Sequence, residues 1–145
     1  MTEERLVGAW SLRRFVVTVD DGRPPLYPLG ASARGLVVYE PSGWMSAVLS
    51  RGDRAGGGDT LEEADQATST DKAAAFDSYL SYAGRWRLGE GEVHHEVQLA
   101  LVPGMVGQTL TRTASLDDDG VLTLAYTRRT RGGHLATYTL HWSRP

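Results

Sequence analysis

The chain has 145 residues, of which 41% are hydrophobic and 23% charged, and its formal net charge at pH 7 is −3. These values are ordinary for a globular domain, and a pI of 5.8 excludes the basic surface of a nucleic-acid-binding protein. There is no cysteine, which excludes disulfides and thiol chemistry and predicts a cytoplasmic location.

The length predicts a single domain over residues 1–145, large enough to bury one core. No stretch approaches the roughly 20 apolar residues that a bilayer-spanning helix needs, so no membrane partner is expected. The N-terminus Met1-Thr2-Glu3-Glu4 is acidic, whereas a signal peptide begins with basic residues.

The first 50 residues predict three strands. Loose alternation of Val, Phe and Trp predicts a long strand at residues 6–19, which opens with Gly8-Ala9-Trp10. Prolines exclude a central strand over residues 26–30. Residues 35–39 and 44–50 predict two strands that are joined by a tight Pro- and Gly-containing turn.

The second half predicts one helix followed by five strands. Ala75, Tyr79 and Tyr82 fall on one helical stripe, which predicts an α-helix near residues 71–82. Strands follow at residues 85–88, 92–101, 107–116, 121–129 and 135–144, and each separating segment carries turn residues. About eight strands predict an all-β antiparallel barrel, the size whose lumen holds one small ligand.

Several of these segments resemble the lipocalin-like domain family of small bacterial and fungal proteins. Gly8-Ala9-Trp10 resembles the G-x-W that opens such barrels. The hairpin segments GLVVY and GWMSA, the helix region at residues 72–84, and the segments VHHEV and PGMVG are similar to further motifs of the family. The chain departs from the family at Gly104, where the family has Asn, and at Met105, where it has an aromatic residue.

This resemblance covers almost the whole chain and implies an eight-stranded, calycin-type barrel. In such a barrel the glycine lets the first strand bend across the floor, and the tryptophan plugs it. A closed cup implies a small-molecule ligand, but it implies no reaction.

Strand parity separates the two histidines of residues 92–101. Val93, Val97, Leu99 and Leu101 share the apolar parity with His95, whereas His94 shares its parity with charged and amide side chains. His95 is therefore expected inside the barrel and His94 outside. Two roles stay open for His95: a hydrogen-bonded interior histidine, or a ligand-facing acid–base group. Adjacent histidines on opposite faces cannot chelate together, and neither a metal nor any other cofactor is expected.

Arg112 shares its parity with Leu110, which favours an inward orientation. A guanidinium there either binds an anionic ligand group or stacks on an aromatic ring. Arg112 and Arg144 both remain candidates for the residue that covers Trp10.

Large aromatic and apolar side chains of the expected lumen make up the candidate ligand-binding set. Its members are Trp44, Tyr79, Trp86, Val97, Leu99, Met105, Leu110, Tyr126, Tyr138 and Trp142. The favoured function is binding of a small apolar or aromatic metabolite, in a setting of natural-product metabolism.

Two other functions stay open. The first is a cofactor-independent cyclase or isomerase, in which His95 is the acid–base group, Arg112 stabilises an anion or carbonyl, and Tyr82 orients the substrate. The second is a structural or interaction module whose barrel is filled by its own side chains. The expected partner is a small molecule, and the sequence leaves a homodimer open.

Overall fold

The computed structural model describes all 145 residues and contains a closed antiparallel barrel of eight strands. Each strand pairs with the next in chain order, and the last pairs with the first. The strands are β1 Gly8–Val19, β2 Arg34–Tyr39, β3 Trp44–Ser50, β4 Tyr79–Leu88, β5 Glu92–Ala100, β6 Thr109–Leu116, β7 Leu122–Arg129 and β8 Leu135–Ser143. The helices are α1 Glu3–Leu6, α2 Leu61–Asp65 and α3 Ser69–Asp77, and a 3-10 turn spans Pro103–Met105. The predicted all-β barrel is confirmed, and no helix is long and apolar enough to cross a bilayer.

The floor of the barrel is built around Trp10, which is 1% exposed. Its indole Nε1 donates a hydrogen bond to the carbonyl of Leu6 at 2.8 Å, and the guanidinium carbon of Arg144 lies 3.8 Å from its ring centroid. Gly8 has a φ of +111°, and a Cβ there would lie 2.7 Å from Arg144 Nη1, so the position requires glycine. Arg144 therefore covers Trp10, which decides between the two candidates. Leu6, predicted as strand, instead ends the helical turn α1.

The predicted helix near residues 71–82 is wrong in its second half. The helix α3 ends at Asp77 and buries no side chain, and its N-cap is Thr68, whose hydroxyl accepts from the Asp71 N–H at 3.1 Å. Tyr79 begins β4, where the inward residues alternate with a period of two. This strand is paired on both sides, with β3 and with β5, and that pairing overrides the helical pattern of a short apolar run.

A bulge in β5 reverses the predicted parity beyond Val97. Gly84 pairs with Val97 and Ala83 pairs with Leu99, so Gln98 is the extra residue of the β5 strand. As a result Leu99 points outward and is 71% exposed, whereas Ala100 packs against the core. The prediction that Leu99 lines the lumen is therefore wrong.

The two ends of the barrel differ in how completely their inward side chains are buried. At the floor, Tyr39, Val93 and Leu122 are fully buried beside Trp10, and Leu88 and Leu116 at the ends of β4 and β6 are partly exposed. Towards the other end, inward side chains that pack on the core remain partly exposed: Leu80, Ala100, Met105, Leu110, Tyr126 and Tyr138. These side chains are inward by strand parity and still reach solvent, so we interpret this end as the open end of the barrel.

Candidate functional site

His95 lies at the centre of a buried chain of three rings. It is 1% exposed, its Nε2 lies 2.8 Å from the Tyr39 hydroxyl, and its Nδ1 lies 2.9 Å from the Tyr82 hydroxyl. Three separate strands, β2, β4 and β5, contribute one ring each to this Tyr39–His95–Tyr82 chain. His95 is thus inside the barrel as parity predicts, and both of its ring nitrogens are engaged.

The protonation state of His95 follows from its surroundings. Burial, together with the positive charge of Arg112, lowers the pKa of His95 to about 3. Burial also raises the pKa of Tyr82 to about 12 and the pKa of Tyr39 well above its usual value. All three rings are therefore neutral at pH 7, and His95 is a poor proton carrier near neutrality.

A count of protons shows that the Tyr39–His95–Tyr82 chain keeps one hydrogen-bond donor for a further group. Two hydroxyl protons and one imidazole proton are present, and two hydrogen bonds use two of them. Because a neutral imidazole accepts at one nitrogen and donates at the other, one tyrosine donates to it and the other accepts from it. The accepting tyrosine therefore keeps a hydroxyl proton for a third group.

Arg112 is partly buried and inward-facing beside Leu110, as its parity predicts. Its guanidinium carbon lies 3.9 Å from the ring centroid of Tyr126, and Nη1 donates to the carbonyl of Thr111 at 3.0 Å. No Asp or Glu forms an ion pair with it. Leu110 pairs with His95 and Arg112 is the next inward residue of β6, and the charge of Arg112 lowers the pKa of His95.

Arg112 lies where the barrel wall is incomplete. Pairing between β6 and β7 extends only from Thr113 opposite Ala125 to Leu116 opposite Leu122. Residues 109–112 of β6 and 126–129 of β7 thus form an unpaired seam between the two strands. A cleft of about 350 Å³ lies along its outer side, lined by Thr111 and Thr127 among others, and Tyr126 lines it too.

The remaining inward members of the candidate set lie at different depths. Tyr126 and Tyr138 stack with centroids 4.6 Å apart, near the open end. Trp142 is 2% exposed, and its indole Nε1–H has no hydrogen-bond partner. Val97 is buried, and Met105 and Leu110 pack on the core with partial exposure.

Trp86 belongs to the core near the floor. Its ring packs edge-on against Tyr39 at 5.1 Å, and its indole N–H donates to the carbonyl of Glu40 at 2.9 Å. It is 7% exposed, which leaves a ligand little surface to touch.

Two aromatic residues expected in the lumen lie outside it. Trp44 is 47% exposed, and Arg85 stacks on its ring at 4.7 Å. Tyr79 has the outward parity of β4, opposite to that of the inward Leu80 and Tyr82. Arg54 stacks on its ring at 4.8 Å. The placement of both in the lumen is wrong, because their size and polarity do not reveal which face of a strand they occupy. His94 is outward, as predicted, although Thr111 and the β4–β5 turn leave it only 14% exposed.

Besides the cleft at the seam, the surface carries four other clefts of 210 to 430 Å³. The one of 430 Å³ lies between α3 and the loop at residues 51–55. None of these clefts is lined by His95, the candidate acid–base group, or by Trp86 of the candidate ligand-binding set.

Tyr39 is the site residue that the sequence reasoning missed. It is 0% exposed and bonds the imidazole of His95, 56 positions away in the chain. The signal was present in the alternation of Gly35, Val37 and Tyr39, which share the inward parity of β2.

The lipocalin-like domain family model matches residues 7–145. The chain belongs to this family. The crystal structure of the uncharacterized protein YLR301w from Saccharomyces cerevisiae is similar in fold, with a TM-score of 0.52 and 13% identity. The match covers 92% of this lipocalin-like chain and 52% of the yeast chain, so the present chain spans about half of that protein. The sequence matches no curated protein.

Proposed function

We propose that this lipocalin-like barrel binds one small, largely apolar or aromatic molecule in the open half of its lumen. The observation that carries the proposal is the partial exposure of inward side chains there, with Leu110, Tyr126 and Tyr138 among them. A barrel closed over its own side chains at this end would bury the rings of Tyr126 and Tyr138 as completely as Trp10 and Tyr39 are buried at the floor. The family membership supports the same function, since a lipocalin-like cup suits a small hydrophobic ligand.

The ligand contacts follow from the side chains at this end. The stacked rings of Tyr126 and Tyr138 supply a flat apolar wall with hydroxyls at its edge. Leu110 and Met105 supply aliphatic surface from the neighbouring strand and turn. As the source of the ligand we propose natural-product metabolism in the cytoplasm, on the strength of the family resemblance and the absence of cysteine.

No observation favours the cyclase or isomerase as a second function. Acid–base catalysis near neutral pH calls for a group that titrates there, and the pKa of His95 is about 3. Both of its ring nitrogens are also occupied by tyrosine hydroxyls.

A neutral environment-sensitive dye, Nile red, tests the proposal with two matched variants. Leu110→Trp places a large ring inside the cup, whereas Leu99→Trp adds the same ring on the outer face, where Leu99 is 71% exposed. We expect Leu110→Trp to weaken dye binding at least tenfold and Leu99→Trp to change it less than twofold. Absence of dye binding to the wild type, or equal effects of the two variants, would overturn the proposal.

A further inference from the structure

We propose that the ligand carries an anionic oxygen group, such as a carboxylate or an enolate, and that Arg112 binds it. This inference rests on the proposed function, because it assigns the polar end of the molecule that the cup would hold. It adds a ligand class and a recognising residue.

The inward polar groups of the barrel offer hydrogen-bond donors in excess. His95 is the one polar side chain among the fully buried residues, and no inward position of the eight strands carries Asp, Glu, Asn, Gln, Ser or Thr. In the open half the uncommitted donors are the N–H groups of Arg112, and one hydroxyl of the Tyr39–His95–Tyr82 chain is uncommitted deeper in the barrel. A ligand that complements such a lumen brings acceptor oxygens, since donor groups on it would find few acceptors.

Charge in the lumen has one sign. Arg112 stacks on Tyr126 from within, and Arg128 lies 6.0 Å from the same ring at the mouth. Neither forms an ion pair with a carboxylate of the chain. A partly buried guanidinium without a counter-ion is costly, and a bound anion offsets that cost.

The geometry of Arg112 leaves its binding edge free. A guanidinium has five N–H groups, of which one donates to the Thr111 carbonyl. Its face rests on Tyr126, and stacking uses the face while bidentate anion binding uses the edge. The aromatic contact therefore holds the fork in place without consuming it. The unpaired seam leaves room beside the guanidinium, because no ladder hydrogen bonds close the wall there.

The inference is tested by displacement of Nile red, which gives the affinities of three competitors. The competitors share a naphthalene ring and differ in their polar group: 2-naphthoate, 2-naphthylmethanol and 2-naphthylmethylamine. In the wild type we expect 2-naphthoate to bind at least tenfold tighter than the alcohol, and the amine to bind most weakly. Arg112→Gln should remove the advantage of the carboxylate, and Arg112→Lys should restore part of it. The matched control is Arg85→Gln, which removes a guanidinium stacked on Trp44 at 4.7 Å on the outer face and should leave all affinities unchanged.

The outcomes separate the two proposals. If Nile red binds but the three competitors bind equally, or if Arg112→Gln keeps the carboxylate preference, the anion site is refuted and the apolar cup stands. If neither the dye nor any competitor binds, both proposals fail. Nile red affinity of Arg112→Gln within twofold of the wild type shows that a lost preference does not come from a collapsed lumen.

Discussion

Two arginines stack on aromatic rings at opposite ends of the barrel at nearly the same distance. Arg144 lies 3.8 Å from Trp10 at the floor, and Arg112 lies 3.9 Å from Tyr126 in the open half. The Arg144 guanidinium also donates to the carbonyls of Ala9 and Arg5, which ties the last residues of the chain to the first. That of Arg112 donates only to the carbonyl of its own neighbour, Thr111.

The same arginine–aromatic stack therefore has two roles in this barrel. At the floor, the arginine holds chain segments together over Trp10, which is fully enclosed. In the open half, the arginine joins no second segment by hydrogen bonds and keeps its donors available. We therefore expect substitutions at the floor to change stability, and substitutions in the open half to change binding.

The largest effect is expected from Trp10→Ala. Removing this ring leaves a cavity under Arg144 and breaks the hydrogen bond to the Leu6 carbonyl. The free energy of unfolding should fall by about 3–5 kcal/mol, as measured by urea denaturation. A loss of less than about 1 kcal/mol would show that the floor is not built around this residue.

The next effect is a dependence of stability on pH that His95 causes. The pKa of His95 is about 3 in the folded chain and about 6.5 in the unfolded chain, so below pH 6.5 the unfolded state takes up the proton first. Stability should therefore fall as the pH drops from 6.5 towards 3, with a slope of up to about 1.4 kcal/mol per pH unit. Urea denaturation of the wild type and His95→Gln between pH 7 and pH 4 measures this difference.

The variant should lose that part of the acid sensitivity, because glutamine takes up no proton in this pH range. Parallel profiles for wild type and His95→Gln would mean that His95 is protonated in the folded chain as well.

A smaller effect is expected when the stabilities of the Arg144 and Arg112 variants are compared. Arg144→Gln removes a cation–π contact and two hydrogen bonds to carbonyls, and should cost about 1–2 kcal/mol of unfolding free energy. Arg112→Gln should cost less, about 0.5–1 kcal/mol, because it removes the contact with Tyr126 and no hydrogen bond to a second segment of the chain. Thermal and urea unfolding of both variants provide the comparison, and a larger loss for Arg112→Gln would reverse it.

The smallest change in stability is expected from substitutions on the outer face of the barrel. Trp44→Ala and Leu99→Ser alter side chains that are 47% and 71% exposed, and each should change the unfolding free energy by less than about 0.5 kcal/mol. Trp44→Ala serves as the surface control for Trp10→Ala in the same denaturation series. A loss above about 2 kcal/mol for Trp44→Ala would place that ring in a contact that the barrel needs.

The barrel, its floor and the inward side of β5 as far as Val97 could be predicted from the amino-acid sequence. Strand alternation and turn residues are local signals, and they found the eight strands and the inward orientation of His95. The floor was predicted from the resemblance of Gly8-Ala9-Trp10 to the G-x-W of the family, and the structure shows the positive φ of Gly8 and the enclosed ring of Trp10 there.

The remaining features depend on contacts between strands and could not be predicted from the sequence. The bulge at Gln98 turned Leu99 outward, and the two-sided pairing of β4 made Tyr79 and Tyr82 strand residues. The choice of Arg144 over Arg112 at Trp10, and the bond between Tyr39 and His95, join residues far apart in the chain. Register, bulges and long-range contacts depend on which strands meet, and the alternation within one strand carries no information about its neighbours.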